Sequence, residues 1–331
     1  MMFLVRPTPL KSEHLLSYLL RLSIVNGFKN TVQLLRCIDL PLTNNRLPPK
    51  KVALGNFPIE LLQKELNLRT NQLSATLLHQ VDDNFYRFNQ LIIPTSSINF
   101  SKPTFCPQCF SEESNQPIHH LLLAVTHCQK HQCVLIDFNV RNEKRLTWST
   151  PGLPTIMEDA SSTVRKEIIP TVTCNINQLL LSPSERLLID KQQFDLKNYL
   201  VLLHFFAHYH QRSFSNQTKR ALQLPNEQRA KLYNTASNYL NDWPTGFYKL
   251  LNRFIINPMA QRGETGIRHY FRDLYDEIYS GAQQEIFAYQ FLMGAFESYL
   301  ENEFSESAFT NSLTRIKMIF PQICRHLIFR N

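Results

Sequence analysis

The sequence predicts a mainly α-helical protein with a small metal-binding module in its first half. Apolar side chains recur at the three- and four-residue spacing of amphipathic helices near the start of the chain and again over residues 184–300. Between these regions, residues 105–137 hold four of the seven cysteines and four of the eleven histidines. Cysteine and histidine are the usual ligands of structural zinc. We therefore expect helices on both sides of a zinc-ribbon or zinc-finger insert with short strands.

The 331 residues are long enough for more than one domain, and composition changes along the chain suggest four segments. We predict an N-terminal helical unit of helix-turn-helix type over residues 1–100 and a zinc-binding module over residues 101–140. An irregular connector is predicted over residues 141–180, and a C-terminal helical domain over residues 181–331.

The N-terminal unit contains two predicted pairs of short helices. Leucines at helical spacing predict a helix over residues 11–25, which ends at Asn26–Gly27, and a second helix over Thr31–Cys37. Another pair is predicted over residues 57–66 and 71–78, separated by a short break. A helix, a short turn and a second helix outline a helix-turn-helix, whose second helix can enter a DNA major groove. Because this second helix carries no arginine, docking on another protein is the alternative interpretation.

The positive charge of the chain lies mainly in its N-terminal part. The formal net charge is +8 and the isoelectric point is about 9.1. Residues 1–105 contain twelve Lys or Arg against six Asp or Glu, which leaves only +2 for the rest of the chain. This distribution indicates a polyanionic partner such as nucleic acid, with a basic but merely solvated surface as the alternative.

The metal-binding prediction depends on two short motifs. Cys106 and Cys109 form a C-x-x-C knuckle, and Cys128 and His131 form a C-x-x-H knuckle after eighteen intervening residues. Two residues between ligands allow a tight turn to direct both side chains at one tetrahedral ion. In a chain without a secretion signal, this spacing favours one structural Zn²⁺ per chain over a disulfide. Buried thiols without a metal are the alternative.

Other side chains compete for the fourth ligand position. His119, His120, His127 and Cys133 all lie near the two knuckles in the sequence. Cys133 begins an apolar run and is expected to be a core residue on a short strand, so His131 is the preferred ligand. Four protein ligands leave no coordination position for water, which favours a structural metal over a catalytic one.

Several functional classes lack their signatures in this sequence. There is no H-E-x-x-H motif of zinc proteases, and no His-x-Glu lies upstream of the C-x-x-C motif as in nucleobase deaminases. The chain starts without the apolar core of a signal peptide, and no apolar run reaches the length of a membrane span. We expect a non-enzymatic, cytoplasmic protein with reduced thiols and no membrane association.

After residue 140 the periodicity of the sequence is lost and then returns. Pro151, Pro154 and Pro170 predict a connector with at most one or two strands, in which Trp148 is a packing residue. Further helices are predicted over residues 184–210, 228–240, 248–256, 266–279, 285–300 and 309–329.

Three stretches of the sequence resemble the TniQ family. The opening, Phe3–Phe28, is similar to the family's arginine-proline start, its glutamate-x-leucine-x-serine helix and its asparagine-glycine end. The two knuckles, followed by Leu135–Ile136, match the family's C-x-x-C…C-x-x-H-x-x-x-L-I unit. The stretch Asn241–Pro244, followed by Phe247, resembles a step found in relatives that work with CRISPR effector complexes.

This resemblance implies a bacterial adaptor that selects the target site of a transposon. The family works with a transposase and an AAA+ transposition ATPase. Its short, CRISPR-associated members imply a homodimer on an RNA-guided Cascade complex, at the end that carries the crRNA-processing subunit and a neighbouring backbone subunit. Target DNA would then be contacted mostly indirectly. The alternative is a sequence-specific DNA-binding factor that recognises an attachment site through its helix-turn-helix.

The sequence also departs from the family pattern. Some relatives carry a second cysteine quartet soon after the first pair of knuckles, but this chain has residues 137–141 there, without cysteine. We therefore expect one zinc ion and not two. His120 stands where relatives often have an aromatic residue.

Overall fold

The computed structural model of the protein describes residues 3–38, 47–68, 72–163, 165–213, 221–256 and 266–304. Contacts within the chain divide it into two compact units, Met1–Asn241 and Asp242–Asn331. In both, the secondary structure of the described residues is mainly helical, which confirms the predicted fold class. The helix predicted over residues 309–329 lies outside the described residues.

The first unit consists of helices with short β-hairpins between them. Its helices are α1 (Leu15–Val25), α2 (Thr31–Cys37), α3 (Pro49–Ala53), α4 (Ile59–Leu66), α5 (Pro107–Glu113), α6 (Leu153–Thr163), α7 (Thr171–Leu181), α8 (Leu196–Arg212) and α9 (Asn226–Asn241). Its strands are β1 (His79–Gln80), β2 (Phe85–Phe88), β3 (Leu91–Pro94), β4 (His127–Cys128), β5 (Cys133–Val134), β6 (Leu187–Ile189) and β7 (Gln192–Phe194). All pairings are antiparallel, in the orders β1-β2-β3, β4-β5 and β6-β7.

Helix α1 lies at the centre of the N-terminal helices and is buried over almost its whole length. It begins after His14, whose side chain accepts the Ser17 N–H, and it ends where predicted, at Asn26. Gly27 then adopts a φ of 73°, a conformation that residues with a side chain rarely take. Helix α2 has the bounds that the sequence predicts.

The predicted helix-turn-helix is not formed. Helix α4 is present, but within residues 72–80 the chain makes only a 3₁₀ turn, Ser74–Thr76, and then enters strand β1. The N–H of Leu78 bonds to the carbonyl of Ala53, and β1 pairs with β2, so backbone partners outside the segment replace helical ones. The prediction of a second helix, on which direct recognition of the DNA major groove depended, is therefore wrong.

The predicted irregular connector contains two helices, α6 and α7, and this part of the prediction is wrong. Leu153, Ile156, Met157 and Ala160 follow helical spacing and are buried, and they outweigh the proline signal. Proline is compatible with the first turn of a helix, and Pro170 lies at the N-cap of α7.

The helix predicted over residues 184–210 begins later than expected. Residues 187–194 form the β6-β7 hairpin, and helix α8 starts only after Asp195, whose carboxylate accepts the Asn198 N–H. Asp190 and Lys191 both have positive φ, at 45° and 63°, the backbone of a two-residue hairpin turn. Neither residue is glycine, so the turn signal in the sequence is weak.

Helices α8 and α9 pack against each other and belong to the first unit, although the predicted C-terminal domain begins at residue 181. Tyr233 hydroxyl lies 3.0 Å from His204 Nδ1, and Tyr239 hydroxyl lies 2.8 Å from His210 Nδ1. Both pairs are separated by 29 residues, so the two helices advance in the same direction. These histidines are packing residues with tyrosine partners.

The second unit contains three described helices, α10 (Thr245–Ile256), α11 (Ile267–Gln283) and α12 (Phe287–Phe304). Their aromatic side chains form its core, as predicted: Phe271 packs edge-on against Phe296, with ring centroids 5.3 Å apart. Trp243 stacks on Phe247 at 5.5 Å and on Phe291 at 4.2 Å. The Trp243–Pro244 peptide bond is cis.

Candidate metal centre

The first knuckle forms the start of helix α5. Cys106 is the N-cap residue, and its sulfur accepts the N–H of Cys109 at 3.4 Å. Pro107 occupies the first turn, where its missing N–H costs no hydrogen bond. The helix start places exposed N–H groups and the positive end of the helix dipole beside the sulfurs, which favours thiolate over thiol.

The second knuckle lies at the turn of the β4-β5 hairpin. Cys128 and Cys133 face each other in the ladder, and the turn between them contains His131. Gln132, the next residue, has a φ of 52°, which reverses the chain direction. Phe105 and Ile136 exchange two backbone hydrogen bonds of 2.8 Å, and this pairing brings the two knuckles together.

Four side chains converge as the spacing of the motifs predicts. The ligand atoms of Cys106, Cys109, Cys128 and His131 all lie within 4.8 Å of one another, and together they could hold a metal ion. Nδ1 of His131 lies 3.3, 3.2 and 3.7 Å from the sulfurs of Cys106, Cys109 and Cys128. The Cys109 and Cys128 sulfurs are 3.6 Å apart.

These distances fit tetrahedral zinc. With Zn–S bonds of about 2.3 Å and Zn–N bonds of about 2.0 Å, a tetrahedron has S···S edges of roughly 3.8 Å and S···N edges of roughly 3.5 Å. The observed separations lie close to those edges. Three thiolates and one imidazole are also a donor set typical of structural zinc, and they provide all four positions from the protein.

The competing donors have other partners or surroundings. His127 Nδ1 lies 3.0 Å from the Thr126 hydroxyl, and its Nε2 lies 3.5 Å from a Glu167 carboxylate oxygen. Cys133 is fully buried on β5, as expected for a core residue, and its sulfur lies 3.6 Å from Cys106 Sγ. It is a neighbour of one donor and stands outside the four-atom cluster.

Hydrogen bonds among the cysteine thiols shift their pKa values in different directions. The Cys109 thiol donates to Cys106, which lowers the pKa of Cys106 below its ordinary value and raises the pKa of Cys109. A hydrogen bond to Cys106 likewise raises the pKa of the Cys133 thiol. A bound cation would favour the thiolate form at its other ligands as well.

Three histidines cluster between the metal module and helix α1 without contributing to the four-atom set. Burial lowers the pKa of His14 to about 3 and that of His119 to about 4, and it lowers the pKa of His120 well below its ordinary value. The His14 ring packs edge-on against Trp148 at 5.3 Å. Both ring nitrogens of His120 are buried without a hydrogen-bond partner. These side chains are packed as neutral imidazoles.

Sequence reasoning missed the residues that fix the module to its surroundings. Asn226, the first residue of α9, donates to the carbonyls of Thr126 and Leu135 at 2.8 and 2.7 Å, and so holds both sides of the β4-β5 hairpin. In addition, the Gln116 N–H donates to the Ser17 hydroxyl of α1 at 2.8 Å. These partners lie about a hundred residues apart in sequence, and no local pattern predicts them.

A buried ionic group joins the next segment to α9. Asp137 and Arg229 are 3% and 2% exposed, with a carboxylate oxygen 3.8 Å from a guanidinium nitrogen. The Arg145 guanidinium lies 3.6 Å from the same oxygen. This group occupies the place where the sequence lacks a second cysteine quartet, and residues 137–146 form a hairpin-like turn there, with Phe138 bridged to Arg145.

Residues 4–135 of the chain match the family model described as TniQ. The chain carries a TniQ family domain. All four donors of the metal centre lie within the TniQ match, as do helices α1–α5. The TniQ family acts in selecting target sites for DNA transposition. No curated protein matches the chain, and no helix in the described ranges combines the length and apolar character needed to cross a bilayer.

Proposed function

We propose that this protein is a non-catalytic targeting adaptor of a transposon. In this proposal it attaches to an RNA-guided Cascade complex and recruits the AAA+ transposition regulator, and through it the transposase, to the marked DNA. The observation that carries the proposal is the TniQ domain over residues 4–135. The Trp243–Phe247 step supports the CRISPR-associated branch, because relatives of that branch have a similar step.

We also propose that Cys106, Cys109, Cys128 and His131 bind one structural zinc ion per chain. The near-tetrahedral separation of their donor atoms supports this assignment. When bound, the ion would join the two knuckles, and with four protein ligands it leaves no position for a reacting water. This closed ligand set supports an adaptor role and argues against hydrolysis at the metal.

A binding experiment with purified components tests the adaptor role. The tagged full-length protein is mixed with Cascade carrying its crRNA and, separately, with the AAA+ ATPase, and complexes are separated by gel filtration. We expect co-elution with Cascade at physiological salt. Cascade assembled without its crRNA-processing subunit is the matched control and is expected to lose the interaction. A protein that fails to bind intact Cascade would overturn the proposed docking.

A DNA-binding assay tests the alternative, in which the protein itself recognises a DNA sequence. The +6 balance of residues 1–105 is compatible with DNA contact, but the second helix of the predicted helix-turn-helix is not formed. We therefore expect the protein alone to bind DNA weakly and without sequence preference, with an affinity that falls as salt is raised. Tight and sequence-selective binding by the isolated protein would instead support the DNA-binding alternative.

A further inference from the structure

Glu112 lies directly outside the four-donor cluster. It follows Cys109 by one helical turn on α5, and its Oε1 lies 3.0 Å from Nε2 of His131. The other ring nitrogen, Nδ1, is the atom that faces the three sulfurs. The two nitrogens of one imidazole therefore have different partners, a carboxylate on one side and the donor cluster on the other.

This arrangement determines which nitrogen carries the proton. A carboxylate only accepts hydrogen bonds, so the Nε2 that faces Glu112 carries the hydrogen and Nδ1 keeps its lone pair. That lone pair points to the place where a metal ion would lie. A carboxylate on the far nitrogen of a ligating histidine also increases the basicity of the ligand and fixes the orientation of its ring.

The second carboxylate oxygen of Glu112 also accepts a hydrogen bond. Oε2 of Glu112 accepts from Nζ of Lys130 at 2.5 Å, and Lys130 precedes His131 in the hairpin turn. Glu112 thus connects the helix of the first knuckle with the turn of the second knuckle from outside. Three thiolates and Zn²⁺ carry a formal charge of −1, and the Lys130 ammonium offsets the carboxylate added beside them.

We propose that Glu112 is a positioning residue for the metal centre, which holds His131 so that Nδ1 and not Nε2 binds the ion. This inference rests on the proposed zinc site and deepens it. It assigns a role to a side chain that no ligand spacing in the sequence identifies.

Zinc affinity measured by competition with a chromophoric chelator tests the role. We expect Glu112→Ala to weaken zinc binding by about 10- to 100-fold, the usual loss when such an outer carboxylate is removed. Glu112→Gln keeps an oxygen that accepts from Nε2, and it should recover most of the affinity. Glu113→Ala, which removes the adjacent exposed carboxylate of the same helix, is the matched control and should stay within threefold of the wild type.

A nitrogen-15 spectrum of the zinc-loaded protein provides a readout that a change in general stability would not move. We expect His131 with its proton on Nε2 in the wild type and in Glu112→Gln, and a mixture of tautomers in Glu112→Ala. Equal affinity of Glu112→Ala and wild type, or Nε2 bound to the metal in the wild type, would overturn the positioning role while the zinc site stands. Wild-type protein that binds no zinc would overturn both.

Discussion

The Cys106 side chain has two roles at one position. Its sulfur accepts the Cys109 N–H at the start of α5, as the side-chain oxygen of an N-cap residue would, and it is also one of the four clustered donors. The local hydrogen bond therefore contributes to the orientation of the sulfur. Helix start and ligand position are fixed by the same atom, so a substitution here affects both.

Removal of a single donor should release the metal. Elemental analysis of the wild type is expected to show about one zinc per chain, because the four donors form a single closed site. We expect Cys109→Ser to lose most of this zinc and to unfold at a lower temperature, because metal binding contributes to folding. Cys174→Ser is the matched control, since Cys174 is exposed on α7 and distant in sequence from both knuckles. A Cys109→Ser protein with full zinc content would contradict the ligand assignment.

The buried histidines should make the protein less stable in mild acid. The pKa of His14 is lowered to about 3 in the folded protein, against about 6.5 when unfolded, so the unfolded chain binds the proton more readily. Stability from this group is complete above pH 6.5 and is lost as the pH falls towards 3. At pH 5 His14 alone should cost about 2 kcal/mol. Urea unfolding at pH 5, 6 and 7, with zinc content determined at each pH, measures the loss.

A substitution of His120 separates this effect from metal release. His120→Phe keeps the ring volume and removes two buried nitrogens that have no partner. Its stability at pH 7 should equal or exceed that of the wild type, and its decline towards pH 5 should be smaller. Parallel pH profiles for the two proteins would exclude His120 as a source of the acid sensitivity.

Among the elements, the turn over residues 137–146 is stabilised by ion pairs and not by a metal ion. Asp137→Asn would leave Arg229 buried without its counter-charge, and we expect a loss of about 3 kcal/mol in the free energy of unfolding. Adding Arg229→Met should recover part of this loss. Arg141→Ala, in the same turn, breaks a more exposed pair with Asp159 of α6, and it should cost less than about 1 kcal/mol. Equal losses for Asp137→Asn and Arg141→Ala in urea titrations would show that burial is irrelevant here.

The elements also show what the sequence could predict. Helices α1, α2, α9, α10, α11 and α12 follow from apolar spacing: α1 is buried over almost its whole length, and the others bury one side against neighbours. The knuckles follow from ligand spacing, which is a local property. Residues 74–80 carry a similar helical pattern, yet the carbonyl of Ala53 and strand β2 provide the partners that determine their conformation. Glu112, Asn226 and Arg229 were missed because their roles exist only once distant segments meet.

At the scale of the whole molecule, the division of the chain into two units at residue 241 leads to a prediction about folding. Every contact that we describe at the metal centre involves residues of the first unit, Met1–Asn241. A fragment of residues 1–241 should therefore fold by itself and retain about one zinc per chain. Circular dichroism melting and elemental analysis of the fragment check this expectation. An aggregated or zinc-free fragment, beside a zinc-loaded full-length protein, would contradict it.

The β4-β5 hairpin and Asn226 lie far apart in the sequence. This separation has a consequence while the chain is being synthesised. Thr126 and Asn226 are separated by 100 residues, and ribosomes add roughly 5–20 residues per second. Asn226 therefore leaves the ribosome about 5–20 s after Thr126. During that interval the donors and the Phe105–Ile136 pair are already available, while α9 is not. The order of synthesis thus leaves several seconds in which the residues of the proposed zinc site are complete and α9 is not yet synthesised.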